Sequence, residues 1–221
     1  MIIAVDGPSG AGKGTISRAI AQHFSLKHID TGLYYRAIAY KAILEGIDLK
    51  HEDVLVQLVD HITTDDFLLP VLRAETIGNA ASKIAVIPIV REQITRRIHR
   101  FCQEIALPYK GVVLDGRDIG TVVCPNATVK IFVTANPDVR ANRRSMELKI
   151  LTQQNSNDIL NQINQRDERD QRRIVSPLSP ASDAIFLDTS ELSSLESCNC
   201  AINIVLNYLS TNSGLVQVTS Y

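Results

Sequence analysis

The sequence predicts an α/β protein built on a five-stranded parallel sheet, and three observations carry that reading. Five short apolar runs are spaced along the chain, at 2–6, 26–30, 111–116, 129–135 and 184–190. All but the second, which holds Lys27 and His28, are near-continuous rather than alternating, as in strands covered on both faces. Segments of helical periodicity separate them, and strand–helix alternation implies parallel strands joined by right-handed crossovers. The first run also leads straight into a glycine-rich turn, "GPSGAGKGT", as at the ligand-binding edge of such a sheet.

The elements follow in order. "IIAVD" is the first strand, and "KGTISRAIAQHF" repeats apolar residues at helical spacing behind the turn. "LKHID" is the second strand. "GLYYRAIAYKAILEG" is a helix ending at Gly46. Residues 47–110 are too long for one crossover and read as an insertion packed on the core. It has a helix-like start, an irregular "DDFLLPVLRAET", then helix-like "IGNAASKIAV" and "PIVREQITRRIHRFCQEIA". "GVVLDG" and "VKIFVTA" are the third and fourth strands. Asn136 and Pro137 suit the cap and first turn of the next helix. Residues 137–173 are polar, arginine-rich and expected to form a movable helical hairpin stopped by the prolines of "SPLSP". "AIFLDTS" is the fifth strand. The sheet and its helices thus take 1–46, 111–136 and 174–209, and the patternless 210–221 is expected to be disordered.

Composition narrows the function. With 221 residues, 45% hydrophobic and 21% charged, the chain has an ordinary globular balance and needs no disulfide or metal staple. A net charge of -1 argues against nucleic-acid binding. No run approaches a membrane span and the N-terminus lacks signal-peptide features, so a cytoplasmic protein with no membrane partner, acting as a monomer, is expected. Cys102, Cys124, Cys198 and Cys200 lack zinc-site spacing and suit a reducing compartment.

Gly7-x-x-x-x-Gly12-Lys13 has phosphate-loop spacing in the strand-to-helix context that gives it meaning. Its glycines let the loop of Gly7, Pro8, Ser9, Gly10, Ala11, Gly12, Lys13, Gly14 and Thr15 curl so that successive N–H groups point at a triphosphate, with the helix N-terminus behind them. Lys13 reaches the β- and γ-phosphates. Gly14 stands where a hydroxyl residue is usual, which makes Thr15 the nearest hydroxyl for Mg²⁺ or the α-phosphate. The loop indicates ATP-type chemistry without naming the acceptor. Asn-Lys-x-Asp and Asp-x-x-Gly, which a regulatory GTPase needs, are absent.

Three further clusters address the acceptor. "DTGLYYR" (30–36) closes the second strand: Asp30 or Thr31 caps the helix and Arg36 lies one turn in. "DGRD" (115–118) closes the third strand, where Asp115 suits a Mg²⁺-bound water and Arg117 and Asp118 face the crevice. "RDERDQRR" (166–173) belongs to a stretch holding seven of the chain's fifteen arginines: Arg140, Arg143, Arg144, Arg166, Arg169, Arg172 and Arg173. That stretch contains only Lys149 among lysines. The bias favours bidentate phosphate binding over a merely solvated face, although i,i+4 pairs such as Arg166–Asp170 account for some of it.

With these clusters in view, the sequence closely resembles the bacterial cytidylate kinase family of nucleoside-monophosphate kinases, over roughly residues 2–208. The resemblance rests on "DGPSGAGKGT", "DTGLYYR", "NAAS" (79–82), "PIVRE" (88–92), "LDGRDIGTVVCPNATVKIFVTA" (114–135), "RDERDQRR" and "SPLSPASDAIFLDTS". It implies a five-stranded P-loop core with a monophosphate-binding insertion at 47–110 and a short lid at 137–173. It further implies that Thr31, Ser82, Arg91 and Asp118 line the nucleoside pocket, that Arg36, Arg117 and Arg173 hold the acceptor phosphate, and that Arg166 and Asp170 contact the sugar. The insertion is shorter around 62–78 than is usual in the family and lacks a β-hairpin before "NAAS".

The implied reaction moves the γ-phosphate of ATP to CMP or dCMP. Its chief demand is positioning two mutually repelling anions, with no general base required because the acceptor is already ionised. Lys13, Mg²⁺, Arg143 and Arg144 would neutralise the donor side, and Arg36, Arg117 and Arg173 the acceptor side. Asp118 can accept from the cytosine amino group while Arg91 donates to the ring, whereas uracil would turn a carbonyl toward the carboxylate. A kinase of the same fold for UMP, AMP or shikimate, and a non-catalytic nucleotide-binding module, are the competing expectations.

Overall fold

The computed structural model describes residues 1–105, 107–149 and 156–212. Its strands are β1 (Ile2–Asp6), β2 (Lys27–Asp30), β3 (Val112–Gly116), β4 (Val129–Thr134) and β5 (Ile185–Asp188). They form one all-parallel sheet in the order β2-β3-β1-β4-β5. The helices are α1 (Lys13–Phe24), α2 (Gly32–Leu44), α3 (Glu52–Asp60), α4 (Glu75–Ile84), α5 (Pro88–Glu104), α6 (Pro137–Lys149), α7 (Ser156–Arg172) and α8 (Ser194–Asn212). None among the described residues is long and apolar enough to cross a membrane.

Apolar side chains leave both faces of the sheet. Ala4, Ile29 and Leu114 pack with Ile38, Leu55, Ile84 and Ile94. Ile3, Val5, Val113, Ile131 and Val133 pack with Ile16 and Ile20 of α1 and Ala201 and Val205 of α8. Residues of α3, α4 and α5 share the first of these cores, so segment 47–110 is anchored by the same burial that holds the sheet. Between α3 and α4 the irregular stretch forms two 3₁₀ turns, Asp66–Leu68 and Pro70–Arg73. Helices α6 and α7 pair through their own small cluster of Ala141, Ile159 and Ile163.

Four local expectations are corrected. The apolar runs overstate the strands: Leu26 N–H donates to Ala21 O and closes α1 instead of joining the ladder. β5 is not covered on both faces, because it is an edge strand whose Phe186 is 62% exposed and leans on Phe132 at 5.5 Å. Helix α7 stops at Arg172, ahead of Pro177, where Ser176 turns at φ 52° and Leu178 N–H reaches back to Asp170 O at 2.7 Å. At the C-terminus α8 continues through Asn212, so residues 210–212 are helical and the remainder of the expected tail lies outside the described residues.

The parallel register brings the chemistry to one edge. Asp6 stands opposite Gly116, and Asp30 opposite Asp115, so β1, β2 and β3 deliver their carboxyl ends together.

Candidate active site

The turn after β1 is a phosphate cradle by its backbone. A Cβ on Gly7 would lie 1.9 Å from Val133 O, so only glycine lets the chain leave the sheet there. Gly12 adopts φ 88° as the cap of α1 and supplies no side chain, which leaves the helix N-terminus facing the cleft. Ser9 to Thr15 line a hollow of about 560 Å³. Gly7 and Pro8 do not line it. They shape the loop, with Pro8 O accepting from Lys13 Nζ at 2.6 Å. Burial, reinforced by Arg117 and Arg166, pushes the Lys13 ammonium down to about 7.

The same hollow gathers Asp30, Arg36, Asp115, Arg117, Arg143, Arg144 and Arg166. Asp115 receives a 2.8 Å contact from His28 Nε2. Asp30 is raised by burial and then by its neighbour Asp115. Arg36 donates to Leu72 O at 2.6 Å and Ala74 O at 3.4 Å, tying α2 to the 3₁₀ segment. Burial and crowding by other arginines lower Arg36 to about 10 and Arg166 to about 9. Guanidinium groups gathered this closely act against one another's charge, a crowding that a phosphate between them would relieve.

A second hollow of about 80 Å³ adjoins the first and shares Asp30, Asp115, Arg117 and Arg166 with it. Thr31, Tyr35, Ser82, Arg91, Asp118, Asp170 and Arg173 line this one. Asp118 is paired with Arg91, whose Nη1 also donates to Ala85 O at 3.0 Å and Nε to Ser176 Oγ at 3.2 Å. Arg173 Nη2 lies 3.7 Å from the other Asp118 oxygen. Asp170 accepts from Arg117 Nε at 2.9 Å. Burial alone would raise the Asp170 carboxyl, but Arg117, Arg166 and Arg173 together hold it below the usual carboxylate range. Ser82 Oγ, Arg166 Nε and Arg173 Nη2 are buried with no hydrogen-bond partner among the described residues, a cost that a polar ligand would remove.

Some expected residues take other positions or partners. Thr31 occupies the cap position of α2, yet its hydroxyl donates to Asp115 O, and it is Asp30 Oδ1 that accepts from Gly32 N–H. Arg143 and Arg144 are not a matched pair. Arg143 is bound to Thr189 Oγ1, Thr189 O and Leu192 O in the loop after β5, whereas Arg144 reaches Arg73 O and Glu75 across the cleft. Arg173 sits at the Asp118 end rather than in the large hollow. The Arg166–Asp170 pair does not form. Asp170 serves Arg117, and an i,i+4 pair that does form among the described residues is Arg172–Glu168 on the exposed face.

Other residues escaped sequence reasoning. His28 looked only like a blemish in a weak strand. Arg140 counted as one more arginine, yet it is buried, binds Asp167 and donates to Ala135 O and Ser9 O, clamping α6 and α7 to the loop after β1. Tyr35 lies under the Arg91 guanidinium at 5.6 Å, and its place four residues after Thr31 was the available signal.

The chain is similar to known proteins along most of its length. A family model described as cytidylate kinase matches residues 3–207. The chain is 44% identical over 206 residues to a cytidylate kinase of Bradyrhizobium diazoefficiens, covering 93% of this chain and 95% of that one. It is 46% identical over 212 residues to a cytidylate kinase of Sinorhizobium medicae, covering 93% and 97%. Among solved structures, a gluconokinase from Sinorhizobium meliloti superposes with a TM-score of 0.53 at 16% identity, covering 97% of each chain, a likeness of fold.

Proposed function

The chain belongs to the cytidylate kinase family, and from that premise we propose how its residues divide the work of an ATP-dependent nucleoside-monophosphate kinase. The large hollow takes ATP phosphates and the small one takes the nucleoside of CMP or dCMP. Segment 47–110 carries the acceptor side and 137–173 closes as a lid over the core. One observation supports this most: the two hollows meet at Arg117 and Arg166, so a donor phosphate in one points at an acceptor phosphate in the other.

Mg²⁺ fits the residues present. The Thr15 hydroxyl and the Asp115 and Asp30 carboxylates line the large hollow, a hard oxygen donor set beside the phosphate loop. Thr15 and Asp115 would hold it through water, and when bound it supplies positive charge to the triphosphate. Lys13 and Arg144 add charge at the γ-phosphate, while Arg143 steadies the loop after β5. Arg36, Arg117 and Arg166 orient the acceptor phosphate. Asp118, held by Arg91 and Arg173, accepts from the cytosine amino group, and Ser82 Oγ offers the base a partner. Closure of α6 and α7 excludes water, the competing acceptor.

The testing experiment measures ADP release by the purified protein with CMP, dCMP, UMP or no acceptor. We expect CMP and dCMP to be used and UMP to fall at least about 10²-fold behind in kcat/KM, because its O4 would face a carboxylate. Equal use of UMP and CMP refutes the Asp118 assignment. Arg36→Ala is expected to cut kcat/KM for CMP by about 10²-fold while ATP affinity stays within about twofold. A parallel loss of ATP binding would place Arg36 on the donor side.

A further inference from the structure

Glu75 opens α4 and is a carboxylate that the chemistry above does not use. Its Oε2 lies 3.3 Å from Arg144 Nη2, and the two side chains are 16% and 15% exposed. Arg144 Nη2 also donates to Arg73 O at 2.9 Å, two residues ahead of Glu75. With Ser9, Gln162 and Arg166, both residues surround a small space between phosphate loop, insertion and lid. Arg166 Nε and Gln162 Oε1 are buried there with no hydrogen-bond partner among the described residues. The negative charge of Glu75 also acts on Arg36 and Arg166, opposing the burial that lowers both. A carboxylate from the insertion therefore stands where guanidinium groups of α2, α6 and α7 converge, the surroundings a phosphate would have.

We propose that Glu75 is an internal anion that occupies this arginine cluster until substrate phosphates displace it, and so sets which anions the cleft accepts. An anion carrying one or two charges, such as inorganic phosphate, gains too little from the arginines to expel a tethered carboxylate. A triphosphate facing a nucleoside monophosphate brings more charge and gains enough. The inference rests on the phosphoryl-transfer reading of the cleft.

The test is inorganic phosphate binding to the full chain by calorimetry, without nucleotides, for the wild type, Glu75→Gln and Glu75→Asp. Glu75→Gln keeps the shape and removes the charge. Its phosphate affinity is expected to rise about tenfold at low salt, with the gain shrinking in 0.5 M KCl, as screening of unit charges a few ångströms apart requires. Glu75→Asp is expected to stay near the wild type. Should Glu75→Gln melt early, each protein is compared with itself: added phosphate must raise the melting temperature of the variant more than that of the wild type. Unchanged or weaker phosphate binding by Glu75→Gln overturns the proposal and leaves Glu75 as a strut for Arg144. These measurements need no turnover, so failure of CMP phosphorylation by the wild type is seen separately.

Discussion

Replacing Lys13 with methionine is expected to lower CMP phosphorylation by about 10³-fold while the protein stays folded. The magnitude is that of removing a preorganised charge from the group being transferred. The folded state tolerates the change for an electrostatic reason. The ammonium is buried beside Arg117 and Arg166 and is pushed down to about 7, below the range of a lysine in the unfolded chain. Between those values the unfolded state binds more protons, so this group's contribution to stability rises with pH from about 7 and is unfavourable below it. Methionine fills similar volume without a charge, and melting temperature at pH 7 should hold or increase. A second readout follows from the same shift. Burial holds the free Lys13 below the usual lysine range, and ATP phosphates would favour its charged form, so binding near pH 8 should take up protons in the wild type and none at Lys13 in the variant. Titration calorimetry in buffers of different ionisation enthalpy measures this. Full turnover by Lys13→Met, or equal proton uptake, would remove Lys13 from the donor site.

Asp118→Ala is expected to be the most damaging change to both stability and base choice. Asp118, Arg91 and Arg173 are each buried, and the carboxylate answers both arginines. Deleting one member of such a buried ion cluster leaves uncompensated charge and costs about 3–5 kcal/mol. For a chain of this length that lowers the melting temperature by roughly 10 °C. Asp118→Asn separates the two roles. It keeps the volume and one acceptor, so it should lose less stability, but it can donate to a carbonyl. Its preference should move toward UMP by about 10²-fold relative to the wild type. Steady-state kinetics with CMP and UMP, beside thermal melts, decide the matter. An Asp118→Asn variant with unaltered CMP preference would show that base selection lies elsewhere in the hollow.

These expectations bear on what arginine richness means. The bias in residues 140–173 pointed to phosphate work, yet its members do different jobs. Arg166 lies between two hollows, its buried Nε without a hydrogen-bond partner among the described residues. Arg140 is a clamp on Ser9, Arg143 a brace on Thr189, and Arg172 an exposed pair with Glu168. Composition identified the segment, and contacts distinguished its residues.

Much of this protein was written locally in the chain. The five apolar runs, the helical periodicity between them and the phosphate-loop spacing depend on neighbours a few residues away, through backbone sterics and the period of each element. They determine the parallel sheet and place Lys13, Arg36, Asp115 and Asp118 near one edge. Only the tertiary structure decided which side chains answer one another. Arg91 meets Asp118 across 27 residues, Arg117 meets Asp170 across 53, and His28 meets Asp115 across 87. Such pairs form wherever packing brings a buried charge within reach of its opposite, because leaving either unpaired in a low-dielectric interior is costly. That same requirement brought Glu75 to Arg144, a contact that no local pattern encodes.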